Sequence, residues 1–423
     1  MRKVLVIILI ILIALISVSW RTKEEPKEIP EPAGEVITSV TIPSATSTPV
    51  QAPVSTVEVS KPIQITSASD CVGTDCVHYA GYSYWRNMNN HVDQSEILIF
   101  VGLGHDYGGP TLYRYNKTTG AVIKSGSLLD KSSSFYYSTA EGWYWSATNP
   151  YAIYISNASS KFFRYDVVTK ELETILDIGD NRYVWQMHSS DDDRVHIGTF
   201  RDSATYVMLG CFAYEENVGK YSYYPTRGAL DECNLDASGR WLIMLEGNDN
   251  RIIDLTTGVE QILLDKEGAL GHLDMGYGYA VGADNYNTEP NATILIKFPL
   301  TSLIRPVGKV VHTNPNWETA EANHISHQNR KPGAAENQYA CGSNADDVPR
   351  EDEIVCFKLD GSLKRVAVAP VMTNLSASGG GDRYGKFPKG NLDVTGEYFF
   401  WTSNMGGPRL DAFIVKIPID LLK

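Results

Sequence analysis

Residues 391–403 read NLDVTGEYFFWTS and residues 234–245 read NLDASGRWLIML. In both, Asn-Leu-Asp leads through a Gly-containing turn into a continuous apolar run, the pattern of a tight turn feeding a buried strand. SSDDDRVHIGTF (189–200) is a third copy with an acidic turn. Between these elements lie strand–turn–strand segments: LYRYNKTTGAVIKSG (112–126), FFRYDVVTKELETIL (162–176), CFAYEENVGKYSYYP (211–225), RIIDLTTGVEQILL (251–264), ILIKFPLTSLIRPVGKVV (294–311) and IVCFKLDGSLKRVAV (354–368). Each alternates apolar and polar residues about a polar or glycine turn, as a β-hairpin does. A half-unit, LDAFIVKIPIDLL, ends the chain.

Two hairpin-like elements make a four-stranded unit. The repeating part divides into seven units of about 50 residues, the period of propeller blades. The expected fold is therefore all-β, a seven-bladed β-propeller over residues 70–423, with six or eight blades as alternatives.

The turn-and-strand elements resemble bacterial propellers of the Tol-B and oligogalacturonate-lyase type, where a Ser-Pro-Asp-Gly turn precedes a strand ending Thr-Ser-Asn or Thr-Ser-Asp. DECNLDASGRW (231–241), GHLDMGYGYAVGADN (271–285) and GGGDRYGKFPKGNLDVTGEYFFWTSNMGG (379–407) together resemble a bacterial extracytoplasmic propeller family. In the lyases, the resemblance implies, histidines and a glutamine of the innermost strands hold a divalent metal at the axis. Two of those histidines precede the last-blade turn, and the matching positions here are Phe387 and Lys389. That departure removes part of the cage.

The amino-terminal MRKVLVIILIILIALISVSW has a basic start, an apolar run and small residues at Ser17 and Ser19. Residues 1–21 read either as a secretory signal or as an uncleaved anchor. Either reading places the rest outside the cytoplasm, with this segment as the protein's membrane contact. Residues 22–69 are rich in Pro, Ser, Thr and Glu and poor in aromatics, the composition of a disordered tether. Six cysteines suit an oxidising compartment. Cys341 and Cys356 flank a polar loop and are expected to pair, Cys71 and Cys76 lie close enough to close a small loop, and Cys211 and Cys233 remain. A net charge of −13 argues against nucleic acid as a partner.

Innermost propeller strands line the central channel, so polar residues just ahead of the turns converge there. They are Gln186 and His188, Asp231 and Glu232, His272 and Asp274, His324 and His327, and Lys389 and Asn391. His272, His324 and His327 with a carboxylate form a candidate set for one divalent metal. Three-residue spacing puts His324 and His327 on opposite faces of a strand, so one must sit on a loop or bulge for both to bind. A metal-free alternative takes His188 or another histidine as base, Arg383 or Lys389 to neutralise a carboxylate, and Tyr384 as acid. That is the requirement of β-elimination on a uronate. In either case Gln186, Glu232, Asp274 and Asn391 are candidate ligand-binding groups. Two functions follow: a propeller that binds, and in the lyase-like reading cleaves, an acidic polysaccharide at the channel mouth, or a non-catalytic surface module for a glycan, peptide or partner protein.

Overall fold

The computed structural model describes residues 60–70, 77–79, 82–89, 95–137, 142–284, 292–301, 308–313, 324–345, 353–379 and 381–423. The amino-terminal apolar segment, most of the expected tether, and Cys71 and Cys76 lie outside the described residues.

Each of the anticipated turns is made by a side chain that closes on its own backbone. Asp236 accepts the N–H groups of Arg240 and Trp241, both at 2.8 Å. Asp393 does the same for Tyr398 at 2.7 Å. Gly239 and Gly396 take φ of 76° and 77° in these turns, a conformation that strains any residue with a Cβ. At the hairpins, Asn116 and Asp166 each accept two N–H groups from the following residues. Local chemistry thus sets the register of strand after strand.

The result is seven antiparallel sheets, six of four strands and one of five. In chain order the blades span residues 77–127, 144–177, 182–225, 230–263, 270–313, 324–370 and 391–416. Apolar faces of neighbouring blades close against each other. Ile97, Ile99 and Tyr113 of blade 1 meet Tyr398, Phe400 and Ile414 of blade 7, all buried.

Blade 7 takes its outermost strand from the other end of the chain. Ile63–Gln64 pairs with Asp411–Lys416, Ile63 opposite Ile414. The Thr66 hydroxyl donates to Asp411 at 2.8 Å. These residues fall inside the stretch that composition assigns to the tether, so the propeller begins before residue 70. A two-residue strand carries too little periodicity to be recognised in sequence.

Cys341 and Cys356 stand directly opposite each other on adjacent strands of blade 6 and form a disulfide. Closing this loop is worth about 3 kcal/mol in the chain-entropy account. Cys211 and Cys233 form a second disulfide, joining blade 3 to blade 4. Such bonds persist in oxidising compartments.

Candidate functional site at the channel mouth

The innermost strands of blades 3, 4 and 5 are each interrupted by a β-bulge at the same place: between Trp185 and His188, Leu230 and Cys233, and Leu270 and Leu273. A bulge inserts an extra residue and re-aims the side chains beside it. Past the bulge, His188, Asn234 and Asp274 each face the third residue of the neighbouring strand. Ser326 and Asn391 do the same in blades 6 and 7. These five positions are related by the turn of the propeller and form one layer. Two residues earlier stand Gln186, Glu232, His272, His324 and Lys389, a layer nearer the end where the innermost strands begin. Eight of the ten channel candidates thus lie on two successive rings, the first of which is the mouth; Asp231 and His327 lie on neither.

Blade 1 contributes something the sequence reading missed. Its innermost position is shared by two short strands, Val77–Tyr79 and Met88–Asn89. Tyr82, Tyr84, Trp85 and Arg86, between them, are all buried, and they descend the channel in order. Tyr82 is at the mouth, its hydroxyl 3.3 Å from Nε2 of His272. Tyr84 bonds to Glu232 through its hydroxyl. The Trp85 indole donates to the Met187 carbonyl at 2.6 Å. Arg86 reaches Asp191, at the far end. The signal available in sequence was the aromatic cluster YSYWRN ahead of the first clear hairpin.

This plug engages several of the candidates. Asn391 donates to the Tyr82 carbonyl at 2.5 Å and accepts from the Asn87 N–H at 3.3 Å. Glu232 also accepts from Asn234 at 3.1 Å. Gln186, held at φ 44°, accepts from Thr199 at 3.2 Å. His188 stacks on Trp85 with ring centroids 5.2 Å apart. Burial, reinforced by Arg330 and Arg86, lowers its pKa to about 3, so it is neutral. Asn391, Glu232 and His188 seat the plug, Gln186 bonds within its own blade, and Asp231 is turned out to solvent.

Asp274 belongs to the far end. It accepts from Arg330 at 3.1 Å, from Gln328 at 2.8 Å and from the His327 N–H at 2.6 Å. Burial outweighs these partners and raises its carboxyl to about 6. Arg330 also bonds Asp191 at 3.0 Å. Burial alone would raise Asp191, but Arg330 and Arg86 together bring it down to about 2.

At the mouth, His272 and His324 stack with centroids 4.7 Å apart. Tyr384, 48% exposed, donates to the Tyr82 hydroxyl at 3.1 Å, which continues to His272. The Lys389 ammonium sits 3.5 Å from the Tyr384 ring centroid and 5.9 Å from that of Tyr82. Lys389 takes φ of 43°, an uncommon conformation for a long side chain, and one that collects at functional sites. Both ring nitrogens of buried His324 lack a hydrogen-bond partner. Burial, with His272 and Lys389 adding, holds it far below the usual imidazole range. Arg383 is exposed beside Tyr384.

His327 does not join its two expected companions. Its Nε2 lies 2.7 Å from the Tyr279 hydroxyl and its Nδ1 3.0 Å from the Tyr339 carbonyl. The strand His324–Ser326 ends just before it, and alternation turns it to the opposite side. The three-histidine metal set is corrected accordingly. Among the described residues no group of three or more His, Cys, Asp or Glu side chains is placed to hold a metal ion. Two imidazoles beside an ammonium do not fit a divalent cation.

No known protein family matches the chain, and no curated protein sequence does. Among solved structures it is similar to an oligogalacturonate lyase in complex with manganese, at a TM-score of 0.61 and 11% identity, covering 86% of this chain and 95% of that one. An oligogalacturonate lyase from Vibrio parahaemolyticus aligns with a TM-score of 0.59 and 12% identity, over 87% and 96%. TolB from Acinetobacter baumannii aligns over 51% of each chain, at 14% identity and a TM-score of 0.30, too low to bear on the comparison. At such identities the likeness is one of fold.

Proposed function

We propose that the protein works outside the cytoplasm, binds an acidic polysaccharide at the channel mouth and cleaves it by β-elimination. The observation that carries this reading is the line Tyr384–Tyr82–His272 with the Lys389 ammonium against its exposed end. The similarity in fold to two oligogalacturonate lyases supports the choice of a uronate.

In this mechanism Lys389, with Arg383 beside it, faces the substrate carboxylate and offsets the charge that builds on it as the α-proton leaves. The Tyr384 proton passes through the Tyr82 hydroxyl to the His272 imidazole, and the ammonium beside the ring stabilises the phenolate left behind. The phenolate takes the α-proton, the C–H pair becomes the new C=C bond, and the C–O bond to the neighbouring sugar breaks. The departing oxygen takes that proton from Tyr384. The proton on His272 then returns, so the site ends as it began. Tyr384 acts as both base and acid, His272 as the proton store. His188, deep beside the plug, has no part in these steps.

The test is incubation with oligogalacturonate, polygalacturonate, alginate and glucuronate-containing chains, following the ultraviolet absorbance of the unsaturated product. The reading expects turnover on at least one, abolished in Tyr384→Phe and retained in chelator. Retention of the chain by calorimetry without any product assigns the mouth to the non-catalytic binding reading. Neither binding nor product would overturn both.

A further inference from the structure

Several arginines elsewhere in the propeller pair with carboxylates, as Arg114 does with Glu96, Arg240 with Asp254 and Arg409 with Asp411. Arg182 and Arg201 of blade 3 pair with no carboxylate among the described residues and lie on aromatic rings. Arg201 also donates to Met208 Sδ at 3.0 Å and to the Tyr183 hydroxyl at 3.5 Å, and Arg182 bonds the Tyr221 side chain. Arg182 is 5.2 Å from the Phe200 centroid and 5.9 Å from that of Tyr223. Arg201 is 4.9 Å from that of Trp185. In a chain of net charge −13, leaving two guanidinium groups without carboxylates is a departure that asks for an anion.

Their place in the blade gives the direction. Arg182 opens the innermost strand and stands opposite Asp202, which ends the next. His324 likewise opens the innermost strand of blade 6, so both arginines share the mouth's end of the propeller, Arg182 on one face of the blade 3 sheet and Arg201, opposite Tyr183, on the other. The carboxylate opposite Arg182, Asp202, is taken by its own turn, accepting from the Ala204 N–H and from the Thr205 N–H and hydroxyl. Around them tyrosines face solvent: Tyr206 is 66% exposed, Tyr223 42% and Tyr221 40%. Exposed aromatic rings in a cluster mark contact surfaces. A ring face suits the apolar face of a sugar, and a planar guanidinium suits a carboxylate.

We propose that this rim of blade 3 is a second subsite for an acidic oligosaccharide. Arg182 and Arg201 bind uronate carboxylates of a chain that crosses the edge of the blade 3 sheet and whose end lies at the mouth. Tyr223 packs on its sugar rings on the Arg182 side, and Tyr206, edge-on to Tyr183, does so on the Arg201 side. The inference rests on the reading of the mouth given above and extends it to a longer ligand.

Calorimetric titration of the full chain with hexagalacturonate and digalacturonate tests it, the shorter probe being too short to span both subsites. The double variant Arg182→Gln/Arg201→Gln is expected to bind the hexamer about tenfold more weakly, the usual effect of losing charged hydrogen bonds, and the dimer unchanged. Lys389→Gln should weaken both. Tyr206→Ala, at an exposed position that does not threaten folding, should weaken the hexamer about threefold. Hexamer affinity unchanged in both rim variants would overturn the subsite. Weakening by the rim variants with none in Lys389→Gln would remove the mouth reading and leave the rim standing. No binding of either probe by the unmodified protein would overturn both.

Discussion

At the far end of the channel, Asp191 and Asp274 face Arg86 and Arg330, Gln328 bridges to the Tyr84 carbonyl, and His327 is bonded at both nitrogens. At the mouth, a few residues along the same strands, His324 is as deeply buried as His327 yet makes no hydrogen bond at either nitrogen. Buried polar groups are costly without partners. Although Arg86 keeps one unpartnered nitrogen at the far end, the two carboxylates and His327 there are all bonded, whereas His324 at the mouth has no partner at either nitrogen among the described residues. The far end anchors the plug; at the mouth it is the His324 imidazole that is left without a partner of its own.

The largest expected effect is at the far end. Arg330→Met leaves two buried carboxylates facing one remaining guanidinium, and should cost about 3–5 kcal/mol of stability in urea unfolding. A loss below about 1 kcal/mol would mean that water already solvates this end and that the two regions do not differ as described.

Next come two histidines three residues apart. His327→Phe removes both of its bonds and strands the Tyr279 hydroxyl, an expected loss of about 1–3 kcal/mol. His324→Phe removes two unpartnered nitrogens and should leave the unfolding midpoint unchanged or raised. Equal losses at the two positions would erase the contrast between mouth and base.

The pH dependence gives a third effect, spread over several pH units. His188 has its pKa lowered to about 3, while the unfolded chain protonates near the ordinary value of about 6.5. Between those values the unfolded state binds more protons, so stability is full above the upper limit and falls as pH drops through the window. His188→Phe should flatten that slope by up to about 1.4 kcal/mol per pH unit. The same slope in both proteins would show that His188 is protonated in the folded state.

Tyr384→Phe should change stability by less than about 0.5 kcal/mol, since the residue is half exposed, while abolishing turnover. A large destabilisation would move Tyr384 from the mouth's chemistry into its scaffold.

Much of this arrangement was legible before the structure. The turns of NLDASGRW and NLDVTGEY are local, each Asp bonding its own loop, so blade count and strand order follow from residues close in sequence. The ring positions of Gln186, Glu232, His272, His324 and Lys389 follow from the same periodicity. What the periodicity did not carry was long-range. The plug's partners lie far along the chain: Tyr82 meets His272 and Tyr84 meets Glu232. Arg330, three residues after His327 in NHISHQNR (323–330), carries no local signal, because its purpose appears only when Asp191 and Asp274 are brought to it. Joining His327 to His324 required a loop or bulge to offset strand alternation, and the strand His324–Ser326 instead ends with His327 turned to Tyr279 and Tyr339.

The contrast between the two ends is tested most directly by side-chain NMR of the histidine imidazoles during titration with hexagalacturonate. The account predicts that the His272 resonances shift in a saturable way while those of His188 and His327 stay in place. Shifts at His188 and His327 with His272 unmoved would contradict it, because the ligand would then be entering at the end assigned to holding the propeller together.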